Sequence, residues 1–128
     1  MIGKPGTSRK NYGFTLVELL TVLLLLSILA AVSTPVVVNA ITRSKEAALL
    51  KDIRIMRELI DDYYADFNQY PESLNDMVEK GYLRKIPVNP FSEQESDWSL
   101  VTNNRGGITD VYSRYEGLAM DGSNYRDW

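Results

Sequence analysis

One carboxylate in this 128-residue chain stands where an acid is costly. Glu18 is the only charge between Phe14 and Ile41, a run of 28 residues of which 20 are apolar. An acid at the centre of a bilayer costs ~2.5–3.5 kcal/mol or more. Glu18 therefore either lies near enough to the membrane surface to reach water or meets a cation delivered to it. The other candidates for chemistry are sparse. Asp61-Asp62 and the Glu93/Glu95 pair bring carboxylates close together in sequence, and Asp121, Ser123 and Asp127 offer oxygens near the end of the chain. The chain has no Cys and no His, which removes thiol nucleophiles, disulfides, Cys-based zinc sites and the commonest general base. A nucleophile would have to rely on a Ser–Lys or carboxylate pair, and clustered acids ordinarily form a solvated face. The expectation is that the chain is not an enzyme. A net charge of −3, from 14 basic and 17 acidic residues, also argues against a nucleic-acid partner.

The elements that carry these residues divide sharply. Residues 1–13 form a basic tail with Lys4, Arg9, Lys10 and no acid, 14–41 form the apolar segment, and 42–128 hold 11 basic and 16 acidic side chains. A 28-residue helix is about 42 Å long at ~1.5 Å per residue, enough to cross a ~30 Å hydrocarbon core. The apolar part of a secretory signal is shorter, ~7–15 residues, so the run reads as a retained anchor in the lipid bilayer. Lys/Arg residues flank it on both sides, but a long domain translocates largely regardless of charge. The expected orientation is N-terminus inside.

Helical periodicity continues beyond the apolar run. Leu49, Ile53, Met56, Ile60, Tyr63 and Phe67 recur at spacings of four and three, while Lys51, Asp52, Arg54, Arg57, Glu58, Asp61 and Asp62 occupy the other face. Pro35 is the only Pro or Gly between Phe14 and Tyr70, so one helix of roughly 50 residues, about 75–80 Å, is expected, ended by Pro71. Ser73, with Asp76 three residues on, caps a second short helix whose buried stripe is Leu74, Met77 and Val78, and Gly81 suits a left-handed stop. Residues 82–91 hold two prolines and read as an extended loop. Residues 98–102 and 108–112 alternate like strands around Asn103-Asn-Arg-Gly-Gly, a hairpin loop. Nine Tyr and Trp residues follow residue 42, and a head this small needs them chiefly as core.

The stretch Gly13-Phe14-Thr15-Leu16-Val17-Glu18, followed by fourteen uncharged residues, resembles the leader of type IV pilins and type II secretion pseudopilins. The residues Tyr70, Pro71, Ser73, Leu74, Met77, Val78, Gly81, Tyr82, Leu83, Ile86, Pro87, Val88, Pro90 and Phe91 further resemble the G-type, major-pseudopilin-like branch of that superfamily. The resemblance extends over nearly the whole chain, with 92–107 matched in character only. Tyr12 departs from the small, polar or basic residue usual before the Gly. Absence of Cys fits the secretion branch, since many pilus-forming pilins carry a disulfide.

The resemblance implies an α+β, pilin-like fold: a long N-terminal helix, its first half in the membrane, packed on a small head with a short helix and an antiparallel β-hairpin. It implies cleavage between Gly13 and Phe14 by a prepilin peptidase and N-methylation of Phe14. A Gly there leaves the backbone open to close approach. Glu18 would neutralise the N-terminal amine of a neighbouring copy, and Pro35, 21 residues after the mature N-terminus, would kink or loosen its turn and allow local extension. The implied partners are other copies of itself, other pseudopilins and an inner-membrane assembly platform. The implied place is a bacterial inner membrane, crossed once, with a periplasmic head. The expected role is a subunit of a type II secretion pseudopilus that drives protein export across the outer membrane; the alternative is a type IV pilin for adhesion, motility or DNA uptake. No cofactor is certain. The G-type branch commonly binds calcium in its C-terminal loop, which here offers Asp121 and Asp127, with Ser123; an Asp-Gly turn explains the same residues without metal.

Overall fold

The computed structural model describes Gly3 and residues 13–128. The leader residues Lys4, Arg9, Lys10 and Tyr12 lie outside the described residues. The order of elements is α1 (Leu16–Phe67), α2 (Leu74–Glu79), β1 (Trp98–Thr102), β2 (Ile108–Ser113) and a 3-10 turn, η1 (Tyr125–Asp127). This is the α+β, pilin-like arrangement expected. The chain divides into two compact units after Val38, and α1 runs through the division.

In the first unit α1 is long and apolar enough to cross a membrane. Every residue from Leu16 to Val38 is exposed. The helix is continuous through Pro35. Just before it, the Ser33 and Thr34 hydroxyls donate to the carbonyls of Leu29 and Ala30, at 2.8 and 2.7 Å. Such bonding to the preceding turn competes for carbonyls of the helical ladder.

The second unit has a core. Leu49, Ile53, Met56, Ile60 and Tyr63 of α1 are buried, five of the six positions that the periodicity marks. The sixth, Phe67, stays 43% exposed and packs its ring 4.6 Å from that of Tyr63. The stripe meets Leu74, Met77, Leu83, Trp98, Ile108, Val111, Ala119 and Tyr125. The helix ends at Phe67, three residues before the sequence-based expectation. Asn68 takes φ 55°, a left-handed conformation that Asn tolerates, and its N–H donates to the Tyr64 carbonyl at 2.8 Å. Asn68 therefore stops the helix before Pro71 can.

The next joints follow their sequence signals closely. The Ser73 hydroxyl accepts the Asp76 N–H at 3.0 Å. At the other end of α2, Gly81 at φ +83° lets Tyr82 N–H donate to the Met77 carbonyl (2.9 Å) and its own N–H donate to that of Val78 (3.1 Å). That is a Schellman closure. The strands β1 and β2 pair antiparallel with Trp98 opposite Ser113 and Leu100 opposite Val111, and an irregularity falls at Val101/Thr102. Asn103 folds the loop between them by accepting the Arg105 and Gly107 N–H groups on its side chain, at 3.0 and 2.9 Å. Gly107 has a second duty: a Cβ there would stand 2.7 Å from the Tyr70 Cβ. With Ile108 N–H donating to the Pro71 carbonyl at 2.7 Å, the hairpin is held against the segment after α1.

The aromatic side chains mostly serve this packing. Tyr63, Trp98 and Tyr125 are buried. Phe91 stacks near Tyr115 and Tyr125, with ring centroids 5.3 and 4.3 Å away. Tyr64, like Phe67, is exposed, at 42%, and is stacked on Tyr70.

Candidate functional site

The N-terminal site is organised by a cap. Thr15 is the last residue before α1, and its hydroxyl accepts the Glu18 N–H at 3.2 Å while its carbonyl accepts the Leu19 N–H at 3.1 Å. Thr15-x-x-Glu18 thus has the spacing of a capping box, with the acid in the first turn where the helix dipole favours a negative charge. That spacing is readable in the sequence. Among the described residues Glu18 has no ion-pair partner. Its apolar surroundings, Phe14, Leu16, Val17, Leu19 and Leu20, are all at least half exposed.

Gly13 and Phe14 precede the cap, so the bond between them lies outside the hydrogen-bonded helix. A Cβ placed on Gly13 would meet no atom within 4 Å. Nothing in the described fold needs a glycine there. A glycine that the fold does not use is free to serve an outside reader of the sequence.

The C-terminal loop presents a different chemistry. Asp121 and Asp127 are both exposed. One oxygen of Asp121 is held by its own turn, accepting the Ser123 N–H at 2.9 Å and the Ser123 hydroxyl at 2.6 Å. Those bonds hold the Asp121 carboxyl below the usual carboxylate range. Calcium takes 6–8 oxygens, and among the described residues no three acidic side chains gather to hold a metal. The Asp121 and Ser123 bonds are those of an Asx turn.

What secures that loop is a residue the sequence reading did not single out. Glu46 of α1 accepts the Tyr125 hydroxyl at 2.8 Å and the Met120 N–H at 2.9 Å on the same oxygen. Burial, with Glu46 accepting its proton, pushes the Tyr125 phenol up to about 12. About three turns further along α1, Arg57 donates to Asp110 at 2.7 Å, to the Val111 carbonyl at 3.1 Å and to the Trp128 carbonyl at 3.5 Å. Burial opposes the Asp110 charge, but the Val111 N–H and Arg57 outweigh it and hold the carboxyl below its ordinary value. Asn89 plays the same part inside the proline loop: fully buried, it donates to the Ser113 hydroxyl at 2.9 Å and accepts the Phe91 N–H at 3.1 Å. These partners lie up to 79 residues apart, so no local pattern announces them.

Asp61 and Asp62 sit exposed on α1, and Glu93 and Glu95 are exposed in the loop before β1.

Comparison with known proteins bears on this arrangement. The family described as the prokaryotic N-terminal methylation motif matches residues 8–34, which span the cap, Glu18 and most of the apolar helix. The chain is 30% identical over 130 aligned residues to the type II secretion system core protein G of Pseudomonas aeruginosa, covering 89% of this chain and 87% of that one. It is 27% identical to the protein of that name from Dickeya chrysanthemi (82% and 77% covered) and 26% identical to that from Vibrio cholerae (89% and 84%). No solved structure matches the chain significantly.

Proposed function

The chain belongs to the type II secretion system core protein G family, and from that premise we propose that it is a pseudopilin that polymerises into a filament driving protein export across the outer membrane. In this reading residues 1–13 are a leader removed by prepilin peptidase between Gly13 and Phe14, and the new Phe14 amine is methylated. Residues 14–41 cross the inner membrane once with the N-terminus cytoplasmic, and 42–128 are the periplasmic head. Sister pseudopilins and the inner-membrane assembly platform are the remaining partners, and the role is structural.

The observation that carries the reading is Glu18: an acid in the first turn of an exposed apolar helix, with no ion-pair partner among the described residues. In lipid such a carboxylate needs a cation. Cleavage before Phe14 creates one at the start of every copy. Pairing the Phe14 amine of one copy with Glu18 of its neighbour removes both charges from lipid and fixes the axial register of the two helices. Pro35 contributes by lacking the N–H that would bond the Ala31 carbonyl. With the Ser33 and Thr34 hydroxyls already drawing on the preceding carbonyls, that turn is the one most able to extend on assembly.

Glu18→Gln in the full chain tests the pairing. Processing at Gly13 continues, seen by intact mass, whereas cross-linked filament ladders disappear. Ladders as long as those of the unsubstituted chain would overturn the role given to Glu18.

A further inference from the structure

The head half of α1 buries one stripe and leaves the opposite one uncovered. That outer face is electrically bipolar. Arg43, Lys51 and Arg54 are exposed in its first half, and Glu58, Asp61 and Asp62 are exposed in its second. Charges of the other sign in the same stretch are turned inward or already engaged. Glu46 is taken by Tyr125 and Met120, Arg57 is taken by Asp110, and Asp52 is half-buried. None of the six outer residues has an ion pair among the described residues. Like charges stand three or four residues apart at Lys51–Arg54, Glu58–Asp61 and Glu58–Asp62, a spacing that destabilises an isolated helix. Among the six, only Arg54 and Glu58, at the junction of the blocks, have the opposite-charge spacing that supports a helix.

We propose that this stripe docks a second copy of the chain, in parallel and displaced along the helix, with the basic block of one copy against the acidic block of the next. This rests on the reading of the chain as a filament subunit, which makes neighbouring copies parallel. The two blocks are centred about ten residues apart, so the displacement is on the order of 15 Å. Each copy then offers a basic block to one neighbour and an acidic block to another. Such a head-to-tail contact does not close on itself and propagates as a filament. Leu50, 46% exposed, and Ile55, 37% exposed, flank the charges and supply apolar contact.

The test uses charge reversal in the full chain, in membranes. Lys51→Glu with Arg54→Glu reverses two of the three charges of the basic block, and Glu58→Lys with Asp61→Lys reverses two of the three charges of the acidic block. Each variant alone lowers cross-linked oligomers by at least about tenfold, because like charges now face each other. Producing the two variants together, or combining all four substitutions in one chain, restores complementary faces and returns the yield to within about twofold of the unsubstituted chain. Restoration also shows that the losses are not misfolding. Oligomers undiminished in both single-block variants, or lost in them and not restored by either combination, overturn the stripe while leaving the filament reading in place. Absence of oligomers from the processed, unsubstituted chain overturns the filament reading itself and the stripe with it.

Discussion

The two halves of α1 dispose of their apolar side chains in opposite ways. Between Asn39 and Phe67 the large apolar residues recur at helical spacing, and five of them are buried against the head. Between Leu16 and Val38 they lie on every side of the helix, and all are exposed. A single buried stripe is a solution for a helix that has water on one side and a core on the other. A helix apolar all round has no polar face to give to water and needs lipid or other helices. The same backbone element thus reports two environments, and the boundary is legible from where the charges resume, at Arg43.

Substitutions sharpen that contrast. The largest expected effect is at the very start of the exposed half. Gly13→Val abolishes leader removal, read as retention of the mass of residues 1–13, while the melting temperature of the protein is unchanged, since a side chain at that position meets no atom. A fall in melting temperature would mean that Gly13 serves the fold after all. Next comes a matched pair. Met56→Ala in the buried stripe destabilises the head by about 2–5 kcal/mol through lost burial and a residual cavity. Leu24→Ala, in the all-apolar half, leaves head stability within ~0.5 kcal/mol, as denaturant titration in detergent will record. Equal losses from both would erase the distinction between the halves.

Smaller losses than that of Met56→Ala are expected from the bonds that fasten the C-terminal loop to α1. Tyr125→Phe removes the hydroxyl held by Glu46 and costs about 1.5–3 kcal/mol, the range for a hydrogen bond to a charged group. The Tyr125 phenol is raised to about 12 in the folded protein, so its contribution is complete below pH ~10 and is lost as pH rises toward 12. Asp110 runs the other way. Its carboxyl is lowered, so that contribution is present above pH ~4 and fades as pH falls through the lowered value. An alkaline unfolding limb that is identical in the protein and its Tyr125→Phe variant would contradict the first assignment.

Much of this architecture could be read in the sequence because it is locally encoded. The 4-3-4-3 spacing from Leu49 to Tyr63, the Ser73 cap, the Gly81 stop and the strands around Asn103–Gly107 each depend on residues within a turn or two of one another. Asn68 shows how local reading errs: Pro71 is the stronger breaker, but Asn68 comes first and tolerates the left-handed turn that ends α1. The contacts of Glu46, Arg57 and Asn89 were not legible, since each partner is brought near only by the completed fold. At the N-terminal site the reverse holds. Gly13, Phe14 and Glu18 stand out in sequence because they break local expectation, a bare glycine and a lone acid beside an apolar helix, and the described fold gives Gly13 nothing to do.

That contrast makes processing the most direct test of the account. Intact mass of the protein purified from membranes of its native host should correspond to a chain beginning at a singly methylated Phe14. A chain that still begins at Met1 in assembled material would contradict the account, because the amine that Glu18 is assigned to neutralise would never have been formed.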